Sequence, residues 1–312
     1  MNVNLMYEPI TDLTLAESDE ASVEAYMIDR IRHLCEVEKV NGIFVSLPSP
    51  TIIDALNVCR EAGIPAIVFN AGIDTAKANG YLFIGQDESE AGFEAGQGLA
   101  NVGDITTFCC INHAPGVNVL EERCGGFGKG LEANGSTGGY ADVHVDPNNC
   151  SLFEAAILSD CTPATGNWSS TGLYFAGQAN HKCGVEFLRK YPSTYADASD
   201  VSKDLYVGMI EGLNILFGID QQTYLQGYFP NSFLTLASTN DQIVQNENIE
   251  TGPKLITEPP SEHYQQCKAN GYAVCDTNSG GDGELTTSAS GPGLVSRLSV
   301  ISLGMVTIIH LN

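Results

Sequence analysis

NGIFVSLPSPTIIDALNVCREAGIPAIVFNAG, residues 41–72, holds two apolar runs with an amphipathic stretch between them. GIFVSLP (42–48) and AIVFNAG (66–72) are near-continuous rather than alternating, which is how strands covered on both faces of a parallel sheet read. Between them Thr51 stands where a helix cap is expected, Gly63 where the helix should end, and Pro65 just beyond. The unit is strand, helix, strand.

The same beat runs through the first 260 residues. Further strands are expected at NLMYEP (4–9), YLFIGQD (81–87), ITTFCCIN (105–112), ADVHVD (141–146), GLYFAG (172–177), LYVGMI (205–210), ILFGID (215–220) and KLITEP (254–259). Helical patterns cover 19–39, 88–101, 118–134, 181–190 and 222–237. In the first of these Val23, Tyr26, Met27, Ile31, Leu34 and Val37 recur at spacings of three and four. Alternation of this kind predicts a doubly wound α/β protein with parallel sheets, and 312 residues suffice for two domains.

The formal net charge is −24, from 14 basic and 38 acidic residues. Such a surface repels phosphate backbones, so nucleic acid is not an expected partner. No GxSxG, P-loop or HExxH sequence occurs, GFGKGLEANG matches a phosphate loop only loosely, and neighbouring Glu121 and Glu122 do not face each other on a helix. No enzyme activity and no cofactor is predicted.

Ten cysteines suit a secreted chain better than a bacterial cytosolic one. Without CxxC pairs or clustered histidines, no metal site is expected. Cys267 and Cys275 in CKANGYAVC, and Cys150 with Cys161, bracket short loops that disulfides would close. The others, Cys109 and Cys110 among them, read as free buried hydrophobes. Sequons at Asn134, Asn149 and Asn167 add weak support for secretion. MNVNLMYEPITD has neither the basic start nor the apolar core of a signal peptide. At the other end, LVSRLSVISLGMVTIIHLN (294–312) follows the small, polar stretch SGGDGELTTSASGPG. Its apolar core is short for a membrane span and fits a glycolipid-anchor signal, a marginal span or an incidental tail.

Polar residues gather at one place. Ser46 follows GIFV, Asn70 follows AIVF, Gln86 and Asp87 follow YLFIG, Asn112 follows FCCI, and Asp220 follows ILFGI. Each stands at the C-terminal end of its strand, where open α/β sheets bind ligands.

In NGIFVSLPSP, REAGIPAIVFNAG, YLFIGQDESEAG, VNVLEERCGGFGKGL and ILFGIDQQTYLQGYFP, in that order over residues 1–258, the chain resembles the type I periplasmic binding proteins of the ribose and galactose type. The resemblance implies two Rossmann-like lobes joined by a multi-strand hinge, with a sugar-like ligand between them. Lobe 1 would be 1–103 with 221–250, and lobe 2 would be 104–220 with 251–260. A cysteine-containing linker (261–293) and the apolar tail (294–312) would follow. It implies that Asn70, Asn112, Arg123 and Asn180 point into the cleft, with Asp220 and Gln221 at the third crossover. Carboxamides, carboxylates and a guanidinium suit the fixed hydroxyls of a monosaccharide or similar polyol. Phe69, Phe175 and Tyr224 are candidate stacking faces or core residues. Arg123 has an alternative in a surface ion pair with Glu121 or Glu122, and His113 and His181 read as loop residues.

Two departures from the resemblance stand out. The family's first strand and helix precede the segment matched here by NVNLMYEP, and their absence would leave two strand edges unpaired. LYVGMI and NILFGID are separated by only three residues, too few for a parallel crossover. The family's helix there, and the ligand-binding aspartate before it, are therefore expected to be missing. Both gaps read as a truncated or mis-assembled coding sequence. The function implied is extracytoplasmic binding of a sugar for uptake or sensing, with a transporter or sensor as partner. The alternatives are a non-functional remnant and a receptor ectodomain for another small molecule.

Overall fold

Neighbouring strand residues face opposite cores: Ile43, Val45, Val68 and Phe83 enter one, while Phe44, Ile67, Phe69 and Ile84 enter another. The computed structural model describes residues 20–240, 242, 244 and 248–258, with the backbone of 3–9 and 305–311. The first sheet contains β1 (Val3–Pro9), β2 (Gly42–Val45), β3 (Ala66–Phe69), β4 (Phe83–Gln86), β10 (Asn248–Gly252) and β12 (Met305–Leu311). The second contains β5 (Thr107–Asn112), β6 (Gly139–His144), β7 (Thr171–Phe175), β8 (Tyr195–Ser199), β9 (Ile215–Asp220) and β11 (Lys254–Ile256). The strand orders are β1-β12-β2-β3-β4-β10 and β11-β9-β8-β7-β5-β6. Apart from β1, β11 and β12 the pairings are parallel.

Helices α1 (Glu20–His33) and α2 (Ile53–Glu61) cover one face of the first sheet, and α3 (Ile73–Ala78) follows β3. A turn at Pro50–Ile52 precedes α2, with Ser49, not Thr51, at its cap position. Beyond α1 the chain widens into a π-helical turn at Leu34–Glu38, which shifts the register and leaves Val37 exposed. Helix α9 (Thr223–Asn240) covers the other face through Leu234, Phe229 and Phe233. On the second sheet, α6 (Cys150–Asp160), α7 (His181–Lys190) and α8 (Lys203–Ile210) lie on one face. The opposite face carries α4 (Glu88–Ala100) and α5 (Asn118–Ala133). Helix α4, counted with the first lobe from sequence, thus packs against the second sheet.

Helices α4 and α5 approach more closely than any side chain allows. A β-carbon at Gly92 would lie 1.9 Å from the Arg123 carbonyl oxygen, and one at Gly126 would lie 2.0 Å from that of Ser89. The glycines of AGFEAG and GGFGKG bring the two backbones together, and that contact sets Arg123 beside the first turn of α4.

The sequence expectation fails around residue 205. LYVGMI is helical, with Leu205 and Gly208 buried on one side and the Ser202 hydroxyl accepting from the Leu205 N–H. The strand lies earlier, in YADAS, whose small residues have little β propensity and gain their place by burial. A helical crossover therefore joins parallel β8 to β9, and an aspartate, Asp200, precedes it. Neither the helix nor the aspartate is missing.

The cysteine expectations fail too. Cys35–Cys59, Cys109–Cys161, Cys110–Cys124 and Cys150–Cys183 are disulfides, and no described cysteine is free. Adjacent residues on β5 point to opposite faces, so Cys109 meets the end of α6 while Cys110 meets α5. Cys161 is thereby taken, and Cys150 pairs with Cys183. Cys267 and Cys275 lie outside the described residues.

The end of the apolar tail is a strand. Residues 305–311 run antiparallel between β1 and β2, with Leu311 opposite Val3 and Val306 opposite Val45. The edges expected to be unpaired are thus joined by β12, and β1 meets the sheet through it. No helix among the described residues is long and apolar enough to cross a membrane.

Asp197 on β8 is fully buried with neither carboxylate oxygen hydrogen-bonded. Burial pushes its pKa well up. A carboxyl raised in the folded state penalises folding at every pH above its unfolded value of about 4. Asp197→Asn is therefore expected to stabilise the protein at pH 7. The gain should vanish below about pH 4 in denaturant titrations. Gly126→Ala should destabilise by about 1–3 kcal/mol in the same assay, because the methyl group meets backbone rather than a movable side chain.

Candidate ligand-binding cleft

The carboxyl ends of β3, β4, β8 and β9 deliver a connected set of polar side chains. Asn70 follows β3 in the left-handed region, with φ of 63°, which asparagine tolerates. Its Nδ2 donates to Gln221 Oε1 at 3.3 Å and to Gln226 Oε1 at 3.2 Å. Gln221 follows β9, and its Nε2 donates to Asp200 Oδ1. Asp200 Oδ2 accepts from Arg123 Nη1 at 3.3 Å and from the Gln178 N–H at 3.2 Å. Arg123 Nε donates to Glu88 Oε2 at 2.6 Å, and its Nη1 also reaches the Ala176 carbonyl at 2.8 Å. Gln86 Nε2 donates to Glu88 Oε2 at 2.7 Å. The chain Asn70–Gln221–Asp200–Arg123–Glu88–Gln86 therefore leaves the first sheet, crosses the second and returns.

Arg123 and Glu88 are 3% and 2% exposed. Burial opposes the Arg123 charge, but Glu88 and Asp200 outweigh it, and the guanidinium stays protonated. Burial would likewise raise Asp200, yet Arg123 and the Gln221 hydrogen bond hold it below the usual carboxylate range. At Glu88 burial wins over Arg123, and the pKa rises. Asp200 is thus the more acidic of the two partners.

Buried polar atoms nearby without a partner include Ser46 Oγ, Gln86 Oε1, Glu88 Oε1 and His113 Nδ1. An unmet buried polar group costs about 1–3 kcal/mol. Ser46 follows β2 and Gln86 ends β4, on either side of β3, so both groups stand at the carboxyl edge of the first sheet.

Of the residues singled out from sequence, Asn70, Gln86, Arg123 and Gln221 share this chain, and Ser46 lies at the end of β2 with its hydroxyl unmet. Others serve their own turns. Asp87 caps α4 by accepting from the Glu90 N–H. Asn112 accepts from the Ala114 N–H and donates to Glu121, bracing the turn before α5. Asp220 accepts from the Gln222 N–H. Asn180 donates to the Ile111 carbonyl at 2.7 Å, fastening α7 to β5. Neither Glu121 nor Glu122 pairs with Arg123, whose carboxylates come from other elements. Phe69 packs edge-on against Phe44, and Phe175 is core. Tyr224 is exposed and stacked on Tyr228.

His181 is no loop residue: it is buried at the start of α7, its Nε2–H donating to the Ser199 carbonyl while Nδ1 accepts from the Ser202 hydroxyl. Burial pushes both His181 and His113 down to about 4, so both are neutral near pH 7. Sequence reasoning missed Asp200, Glu88 and Gln226. Glu88 directly follows the noted Gln86-Asp87 pair and was legible by position; Asp200 was hidden by the misplaced strand.

Residues 14–171 match the family described as periplasmic binding protein domain. The xylose/arabinose-binding protein XylF of Sulfolobus acidocaldarius is 28% identical over 242 residues, which is 72% of this chain and 58% of that protein. This chain therefore spans less than two thirds of that relative's length. A carbohydrate transporter structure from Acidothermus cellulolyticus, in complex with myo-inositol, superposes with a TM-score of 0.64 at 25% identity, over 81% of this chain and 85% of that one. A solute-binding protein from Burkholderia graminis, in complex with D-arabinose, gives a TM-score of 0.61 at 17% identity, over 77% and 81%, and supports the fold alone. Two doubly wound parallel sheets with their carboxyl ends facing a shared polar cleft, and a family match over half the residues, agree: the chain belongs to the periplasmic binding protein domain family, in its type I, two-lobed form.

Proposed function

We propose that this chain binds a monosaccharide or similar polyol in the cleft between its two sheets and presents the closed form to a transporter. The observation that carries this reading is the cross-sheet chain from Asn70 to Gln86 with Ser46 Oγ, Gln86 Oε1 and Glu88 Oε1 left unmet beside it. Sugar hydroxyls both donate and accept, so a ring seated there satisfies all three. The ligands named for the xylose/arabinose-binding protein and for the myo-inositol complex are of this chemical kind.

The hinge is the second part of the proposal. Gln226 Nε2 donates to the Gln221 carbonyl and to Thr251 Oγ1, and Thr251 in turn donates to the Gln221 carbonyl. The crossover after β9 and the one through β10 and β11 are thereby tied together, so the sheets swing as two bodies about a braced axis. The third part is location. Four disulfides among the described residues favour an extracytoplasmic setting. A membrane tether through the tail is not included, because residues 305–311 pair on both edges within the first sheet.

Calorimetric titration with D-xylose, D-arabinose, D-allose and myo-inositol tests the reading. At least one is expected to bind with micromolar affinity, and failure of all four would contradict it. Ser46→Ala separates a ligand-facing hydroxyl from a structural one. Removing an unmet buried hydroxyl should leave the melting temperature of the free protein unchanged or higher. It should also weaken the best sugar about tenfold, equivalent to ~1.4 kcal/mol.

A further inference from the structure

The unmet atoms at the cleft are not balanced. Gln86 Oε1 and Glu88 Oε1 accept hydrogen bonds, and both residues are almost wholly buried. The buried cation among them, Arg123, is already engaged by Glu88, Asp200 and the Ala176 carbonyl. The surrounding carboxylates come from both halves. Asp74 stands in the first turn of α3, Asp87 at the end of β4, and Glu122 on α5. The field of Glu88, Asp74 and Asp87 acts on Glu122, which is half-buried and hydrogen-bonded to Asn118 Nδ2 at 2.6 Å. A cleft with unmet acceptors and surplus carboxylates lacks a positive charge. The deficit does not point to a bare metal ion: among the described residues, Cys110, Cys124 and Asp142 alone bring three metal-binding atoms together, and those cysteines form a disulfide.

We infer that the cleft selects a sugar or polyol carrying an ammonium group over its neutral counterpart, and excludes one carrying a carboxylate or phosphate. This rests on reading the cleft as a sugar site. An ammonium offers three donors and no acceptor, matching Gln86 Oε1 and Glu88 Oε1. Its charge is favoured by the field of Glu88, Asp74, Asp87 and Glu122, whereas an anion meets the same groups as repulsion in addition to the net charge of −24. Selection against anions is therefore built from repulsion as much as from contact.

The pH dependence has a definite sign. Burial first, and then Glu88, Asp74 and Asp87, push Glu122 up to about 6, with the Asn118 hydrogen bond acting the other way. Glu122 is negative at pH 7 and mostly neutral at pH 5. Arg123, one residue away, keeps its charge throughout. An amino sugar stays protonated across that interval, so its advantage should shrink as the pH falls.

The test is calorimetry on the full chain with D-glucose, D-glucosamine and D-glucuronate, and with D-galactose, D-galactosamine and D-galacturonate. At pH 7 and low salt the amino sugar of at least one set should bind tenfold or more tighter than its neutral parent, with no measurable uronate binding. At pH 5, and in Glu122→Gln at pH 7, that ratio should fall at least threefold. Neutral sugars binding as tightly as amino sugars, or uronates tightest, would overturn the inference and leave the sugar site standing. Absence of binding by all six, joined to failure of the pentoses, D-allose and myo-inositol, would overturn both.

Discussion

The interaction on which the cleft depends is the ion triad of Glu88, Arg123 and Asp200. The Glu88 carboxylate and the Arg123 guanidinium are held out of water where the chain passes between its sheets, and the Asp200 carboxylate beside them is partly buried. Removing a charge from water costs several kcal/mol, which mutual attraction recovers only when geometry and hydrogen bonds are nearly complete. Here they are complete on one side. Arg123 is enclosed by Glu88, Asp200 and the Ala176 carbonyl, while Glu88 keeps one oxygen unmet. The triad is therefore a buried scaffold with one acceptor, Glu88 Oε1, left unmet. It also joins the start of α4, α5 and the segment after β8 through one side chain, and Asp200 continues the chain through Gln221 to Asn70.

That geometry is fixed by packing well away from the charges. The glycine faces of α4 and α5 let two helices touch along their backbones, which sets Arg123 against Glu88 with no slack. Cys110–Cys124 ties α5 to β5 on the same side of the second sheet, and Cys109–Cys161 ties β5 to α6 on the other. Disulfides of this kind narrow the unfolded ensemble, by an amount that grows with the loop enclosed. A protein with 38 acidic and 14 basic residues repels itself, and these cross-links and close contacts oppose that repulsion.

Much of this was legible in the sequence, for identifiable reasons. Apolar runs such as GIFV and AIVF announce strands buried on both faces, and the polar residue after each run marks the carboxyl edge where ligands bind. What stayed hidden was set by tertiary context. YADAS carries no apolar signal because its alanines fill space between larger neighbours, whereas LYVGMI has β-type composition but buries only one helical side. Misplacing that strand concealed both the crossover helix and Asp200. Position along a strand also cannot say which way a side chain turns. Asp87, Asn112 and Asp220 all end strands, yet each closes its own turn, while Glu88, one residue further on, enters the triad. Cysteine partners were likewise decided by which sheet face each residue occupies rather than by spacing.

The central claim is that the cleft's unmet acceptors are met by a ligand. A crystal structure of the chain grown with the sugar that binds best in titration tests it most directly. The account predicts ligand hydroxyl or ammonium groups within about 3 Å of Ser46 Oγ, Gln86 Oε1 and Glu88 Oε1, with the Glu88–Arg123–Asp200 triad intact beneath them. A ligand seated elsewhere, or those three atoms paired within the protein instead, would contradict it.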